Sequence, residues 1–334
     1  MHSSRNFATV LAAALTTAVS AVGVPAVASA SGHAHLPSGV DVSGYQRPGG
    51  AAIDWHEVKT DGQSFAVVKA SEGTDWVNDF AAEDVDKAAA AGLKVGAYHY
   101  ARPGMDARAQ ARHFADQLKN FPGSSLPPVL DIEVDEGKSP KELTAWTHDF
   151  LDELESRSGQ KPMVYTYPYF WLHNMGNATD FAQYPLWLAA YQNTAPKPVG
   201  GWSELAMWQR TGTGRVGGIT GNVDLNVFNG TPDQLTGFQP GGHLDGVTIE
   251  DGPSLGGGAK ALIDAVLTLN PGVIKEAEKA GIDPDGAKDL LELVGTLYAE
   301  GKLPVDELRD MAENGATVSD LVILLDNAAN EANA

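Results

Sequence analysis

There is no cysteine anywhere in the chain. That excludes disulfides, zinc–thiolate sites and thiol nucleophiles together. A fold of 334 residues must then be held by its core. Basic residues are scarce too: 23 Lys and Arg stand against 43 Asp and Glu, a formal net charge of -20. Such a balance argues against nucleic acid or an anionic membrane surface as partner. Long apolar runs are missing beyond the N-terminus, so no membrane insertion is expected of the mature chain.

What is present divides into four stretches. Arg5 is followed by an Ala/Val-rich segment at 8–24, interrupted by Thr16, Thr17 and Ser20, and then by the small residues Ala28-Ser29-Ala30. This is the pattern of a cleaved leader, so residues 1–30 read as a signal peptide and the mature protein as secreted and extracellular. From 31 to 240, short apolar strands alternate with helical patterns. Strands are expected at 39–43, 65–71, 94–100, 128–133, 162–166, 186–190, 205–209 and 223–228. Helices are expected at 79–91, 106–118 and 140–158, with Gly92 and Gly159 after two of them. Strand–helix alternation implies a parallel sheet, and eight strands imply a barrel. The last three strands lack helical connections, so the second half departs from a regular eightfold barrel. A Gly/Pro-rich linker is expected at 241–258. The rest, 259–334, reads as an acidic all-helical domain of five helices with no assigned partner. From Gly241 onward there are 18 acidic and 6 basic residues. The fold class is therefore α/β, a modified TIM-like barrel followed by a small helical C-terminal domain.

The segment richest in chemical information is Pro128-Val129-Leu130-Asp131-Ile132-Glu133. Side chains two apart on a strand share a face, so Asp131 and Glu133 emerge together where a buried strand ends. Neighbouring buried carboxylates raise one another's pKa, which keeps an acid protonated for catalysis. On this motif alone a solvated strand end is an equal alternative. Parallel barrels carry their sites at the carboxyl ends of the strands. That rule gathers Asp41, Tyr98, Tyr100, Asp131, Glu133, Tyr165, Trp187, Gln209 and Asp224 at one mouth. Acids for proton transfer among aromatic rings suit glycoside cleavage better than phosphate or nucleotide chemistry. His99, between two tyrosines, reads as helix-facing. Trp55, Trp76 and Trp146 read as packing.

Seven short motifs carry a resemblance: Asp41-Val42-Ser43, Tyr98-His99-Tyr100, Asp131-Ile132-Glu133, Tyr165-Thr166-Tyr167, Leu186-Trp187-Leu188-Ala189, Met207-Trp208-Gln209 and Val223-Asp224-Leu225-Asn226. In unbroken order over about 39–228, they resemble the family-25 glycoside hydrolases, the N-acetylmuramidases or lysozymes. The resemblance implies a barrel of eight strands and about five helices. It also implies hydrolysis of the β-1,4 bond between N-acetylmuramic acid and N-acetylglucosamine, with peptidoglycan glycan strands as partner. It implies Glu133 as catalytic acid, supported by Asp131, Asp41 and Asp224. Tyr98, Tyr100, Tyr165, Trp187 and Gln209 are then candidates for substrate binding. A chitin-type hexosaminidase and a non-catalytic wall-sugar-binding module are the alternatives.

Two residues along a strand span ~6–7 Å, which leaves retaining and inverting carboxylate pairs both open. A third route, attack by the substrate's own 2-acetamido oxygen with Asp131 orienting the amide, is the one we favour. No cofactor and no metal are expected. Gly281 to Glu292 places Asp283, Asp285, Gly286 and Glu292 at EF-hand positions. Gly281 stands where the first ligand belongs, however, and Asp283 reads better as a helix cap.

Overall fold

The computed structural model describes residues 36–249, 253–270 and 272–331; the expected signal peptide lies outside the described residues. The strands are β1 (Ser38–Val42), β2 (Phe65–Glu72), β3 (Trp76–Val77), β4 (Lys94–Tyr100), β5 (Val129–Asp131), β6 (Met163–Thr166), β7 (Leu186–Ala189), β8 (Met207–Gly214) and β9 (Val223–Phe228). Eight of them close a barrel in the order β1-β2-β4-β5-β6-β7-β8-β9, with β9 returning to β1 and β3 a short appendage on β2. Pairings from β1 through β8 are parallel. β9 is antiparallel to both β8 and β1. All eight expected strands are present. The fourth ends its ladder at Asp131, so Glu133 lies two residues beyond it.

The barrel strands form where sequence runs are apolar on both faces. Phe65-Ala66-Val67-Val68 in β2 is wholly buried, as a parallel strand covered inside and outside must be. β1 and β2 approach so closely that a Cβ at Gly39 would lie 2.4 Å from the Phe65 ring. Helices α1 (Trp55–Thr60), α2 (Ala81–Ala90), α3 (Ala107–Leu118) and α4 (Pro140–Ser158) cover the first half, and α5 (Pro232–Gly237) follows β9. In α4, Ser139 and Glu142 form a capping box with Pro140 in the first turn, and Gly159 at φ 67° ends the helix. Its buried face is Leu143, Trp146, Thr147, Phe150, Leu151 and Leu154, a helical stripe. Among the described residues no α-helix joins β7 to β8 or β8 to β9, the irregular second half expected of the sequence. His99 packs outward between Phe114 and Phe150 and bonds Ser71 and Gln110. Burial lowers its pKa to about 3, so it is neutral.

The C-terminal helices are α6 (Lys260–Leu267), α7 (Gly272–Lys279), α8 (Pro284–Ala299), α9 (Val305–Asn314) and α10 (Val318–Glu331). Asp283 caps α8, accepting from the amides of Asp285 and Gly286 at 3.0 Å each. The EF-hand-like segment is therefore the start of a helix. Residues 241–249 lie on the barrel: Asn229 Oδ1 accepts from the His243 and Leu244 amides, and Thr194 pairs with Thr248. The bundle then folds back over the barrel mouth. The Tyr191 amide donates to Ser319 Oγ (2.7 Å), the Tyr169 amide to Asp320 Oδ1 (3.3 Å), and the Tyr169 hydroxyl to Asp310 Oδ2 (2.5 Å).

Candidate active site

A cavity of about 440 Å³ opens at the end of the barrel where β1, β2 and β4–β8 terminate, a size typical of small-molecule sites. Every candidate named from the sequence lines it: Asp41, Tyr98, Tyr100, Asp131, Glu133, Tyr165, Trp187, Gln209 and Asp224. Tyr100, Asp131, Tyr165 and Trp187 stand at one level, because each pairs with the next across β4, β5, β6 and β7. Asp224 reaches the mouth by a different route from the one expected. It sits near the amino end of β9, and only the reversed direction of that strand places it directly opposite Asp41 in the ladder. Trp76 is a correction. It is 40% exposed and lines the rim, because the two-residue β3 carries it there instead of into the core.

A buried polar network fixes Asp41. Its Oδ2 accepts from Asn226 Nδ2 at 2.7 Å and from Gln209 Nε2 at 3.0 Å. Gln209 Oε1 accepts from the Tyr165 hydroxyl (2.8 Å), and Asn226 Oδ1 accepts from Trp187 Nε1 (2.9 Å). The rings of Tyr165 and Trp187 meet edge to face at 4.7 Å. The polar ends of three candidate substrate-binding residues are thus engaged in holding an acid, with their apolar surfaces left toward the cavity. Asn226, which the last strand offers together with Asp224 but to which the sequence assigns no role, is the residue that links Asp41 to Trp187.

Asp131 and Glu133 are held differently. Glu133 is 7% exposed, yet its Oε2 and the Asp131 Oδ1 have no hydrogen-bond partner. Burial raises the Glu133 pKa to about 7 and that of Asp41 to about 6. Asp131 goes well up through burial and then the neighbouring Glu133 charge, and Asp224 through burial and then Asp41. A buried pair of this kind titrates as a unit, so Asp131 and Glu133 retain a proton between them in weakly acidic medium. Lys69 opposes the rise at both. Its ammonium ion-pairs with Glu72 at 2.6 Å and lies over the rings of Trp76 and Tyr100. Such an arrangement can donate a proton and then hold a fixed negative charge beside the reacting atoms. Among the described residues no group of three or more His, Asp or Glu has the arrangement of a metal site.

The model of glycosyl hydrolases family 25 matches residues 40–219. The chain belongs to that family. Relatives of this family 25 enzyme include lysozyme M1 of Streptomyces globisporus, 36% identical over 207 residues that make up 59% of this chain and 69% of that protein. The N,O-diacetylmuramidase of Arthroderma benhamiae is 33% identical over 61% of this chain and 87% of that protein. Among solved structures, the bacterial lysozyme of Streptomyces coelicolor superposes with a TM-score of 0.56 at 34% identity, covering 61% of this chain and 96% of that one. The muramidase of Trichobolus zukalii superposes at 0.54 with 32% identity, covering 62% of this chain and all of that one. These family 25 relatives share the barrel. Four further residues of the cavity lining, Val322, Ile323, Asp326 and Asn327, come from α10, in the C-terminal helical region beyond the family match.

Proposed function

We propose that this family 25 glycoside hydrolase is a secreted lysozyme. Its substrate would be peptidoglycan and its bond the β-1,4 linkage between N-acetylmuramic acid and N-acetylglucosamine. The observation that carries this reading is the juxtaposition of Asp131 and Glu133, buried side by side with one unpartnered oxygen each. In this reading Glu133, kept protonated by burial, delivers its proton to the glycosidic oxygen as the bond to the anomeric carbon breaks. Asp131 orients the 2-acetamido group of the muramic sugar, whose carbonyl oxygen attacks from the opposite face. Water then opens the cyclic intermediate, with Glu133 taking back a proton. Asp41, pinned by two amides, and Asp224 line the same mouth and support the developing oxocarbenium ion in their ionised forms. Tyr98 offers its ring to the sugars, and Tyr100, with Lys69 over its ring, lines the wall beside it. The relatives' lysozyme and diacetylmuramidase activities support the substrate class. The apolar leader supports export.

Mass spectrometry of digested peptidoglycan tests the assignment, because it identifies the sugar at the new reducing end. N-acetylmuramic acid there supports it. N-acetylglucosamine there, or preferential cleavage of chitin, would replace it with a glucosaminidase or chitinase.

A further inference from the structure

A hydrolase that cuts within a glycan strand must admit sugars on both sides of the bond. In this chain the mouth is roofed. Leu290 of α8 and Val322, Ile323, Asp326 and Asn327 of α10 line the same cavity as the four acids. Asp326 and Asn327 come up against Glu133. The roof is anchored by specific bonds: Ser319 to the backbone of Tyr191 at the cavity wall, Asp320 to the backbone of Tyr169, and Asp310 to the Tyr169 hydroxyl.

The anchored rim contrasts with a poor match inside. Branched aliphatic side chains offer neither a flat face nor a donor to a sugar. Asp326 adds a sixth acid to a cavity already lined by Asp41, Glu72, Asp131, Glu133 and Asp224. Glu133 Oε2 and Asp131 Oδ1 remain buried beneath it without partners, and each orphaned group weakens the closed state. A surface docked by good bonds at its edge and mismatched at its centre is suited to leaving. The solved chain of the Trichobolus zukalii muramidase is matched over its full length by 62% of this chain, so that family 25 structure has no counterpart of the remainder.

We propose that the C-terminal helical bundle is an autoinhibitory cap: α10 sits in the catalytic mouth with Asp326 and Asn327 over Glu133, excludes the glycan strand, and must undock before the enzyme works. This rests on the lysozyme reading above. The bundle's own partner is thus the barrel of the same chain, and whatever displaces it activates the enzyme.

Three proteins test this: the full chain, a chain ending at Ile249, and the full-length variant Ile323→Glu. The substitution sets another carboxylate against the acid cluster, so the cap is lost whether α10 undocks or unfolds. Clearing of insoluble peptidoglycan should be at least about tenfold faster for both altered proteins than for the full chain, because only the undocked fraction is competent. Equal or slower clearing overturns the proposal. So does a full chain that outpaces the shortened one on short soluble muropeptides, which would make the roof part of the site. If none of the three hydrolyses peptidoglycan, it is the lysozyme reading that fails. Retention on insoluble peptidoglycan then decides the cap: stronger retention of both altered proteins supports it, and equal retention overturns it.

Discussion

Glu133→Gln is the sharpest test of the chemistry. Glutamine keeps the size and the hydrogen-bonding shape but has no proton to give the leaving oxygen. Burial raises the Glu133 pKa from 4.5 to about 7, so near pH 6 the Asp131–Glu133 pair keeps a proton that an ordinary glutamate has lost. Near pH 6 the substitution therefore exchanges one neutral group for another, and the fold should be undisturbed. General acid catalysis contributes about 10²–10⁴-fold, equivalent to ~2.7–5.4 kcal/mol of barrel-bound barrier lowering. Turnover should fall by that factor while sugar binding and the unfolding temperature stay in place. The assay is reducing-end release from peptidoglycan between pH 4 and 8, run in the chain ending at Ile249 to remove the cap. In the unsubstituted protein the rate should decline on the alkaline side as Glu133 loses its proton. That decline should begin at lower pH in the shortened chain than in the full one, because the cap supplies part of the burial. A Glu133→Gln enzyme that keeps most of its rate refutes the assignment of Glu133 as the acid.

Four further outcomes follow from the same geometry. Asp131→Asn should reduce turnover nearly as much as Glu133→Gln, measured on the same substrate, because in the proposed mechanism Asp131 aligns the attacking amide. Asn226→Ala strips one of two bonds from Asp41 and leaves Trp187 Nε1 unpaired; it should cost ~1–3 kcal/mol in denaturant unfolding and lower turnover with little change in KM. The full chain should lose thermal stability between pH 5 and 8: Asp41 at about 6, Glu133 at about 7 and Asp326 at about 7 all lie above their ordinary values. The folded state therefore holds extra protons, and the stability they confer is complete at low pH and lost as pH rises through 6–7. Asp131 and Asp224 face the same cavity and act in the same direction, while Lys69 opposes; Asp326→Asn should flatten the fall in melting midpoint. EDTA should leave turnover unchanged, and a loss restored by calcium would overturn chemistry carried by carboxylates alone.

The barrel was legible because its strands are buried on both faces and read as short continuous apolar runs. The acids were legible because period-two alternation brings them out at strand ends. Asp224 is the instructive case. The carboxyl-end rule selected it, but its strand runs backwards and the residue is near the amino end. The inference survived because reversing a strand also exchanges its ends. Glu133 was assigned to a strand that in fact stops at Asp131, without changing which way it faces. What sequence reasoning did not reach is the docking of the bundle. Apolar periodicity reveals that a helix face is covered but not by what. One signal was present: Leu321, Val322, Ile323 and Leu325 make α10 apolar around most of its circumference, and all four are buried. A helix of that kind needs cover on more than one side, which a free-standing bundle gives poorly.

The reversed last strand also bears on how the protein is made. β1 pairs with β9, so residues about 185 positions apart must meet before the barrel closes. Contacts of that sequence separation are slow to form. Asp41 is synthesised among the first residues of the barrel, yet its two amide partners arrive with β8 and β9, at Gln209 and Asn226. No partial chain can assemble this carboxylate's surroundings. The helices of the cap emerge only after β9, so active-site assembly and its covering are consecutive events in one nascent polypeptide.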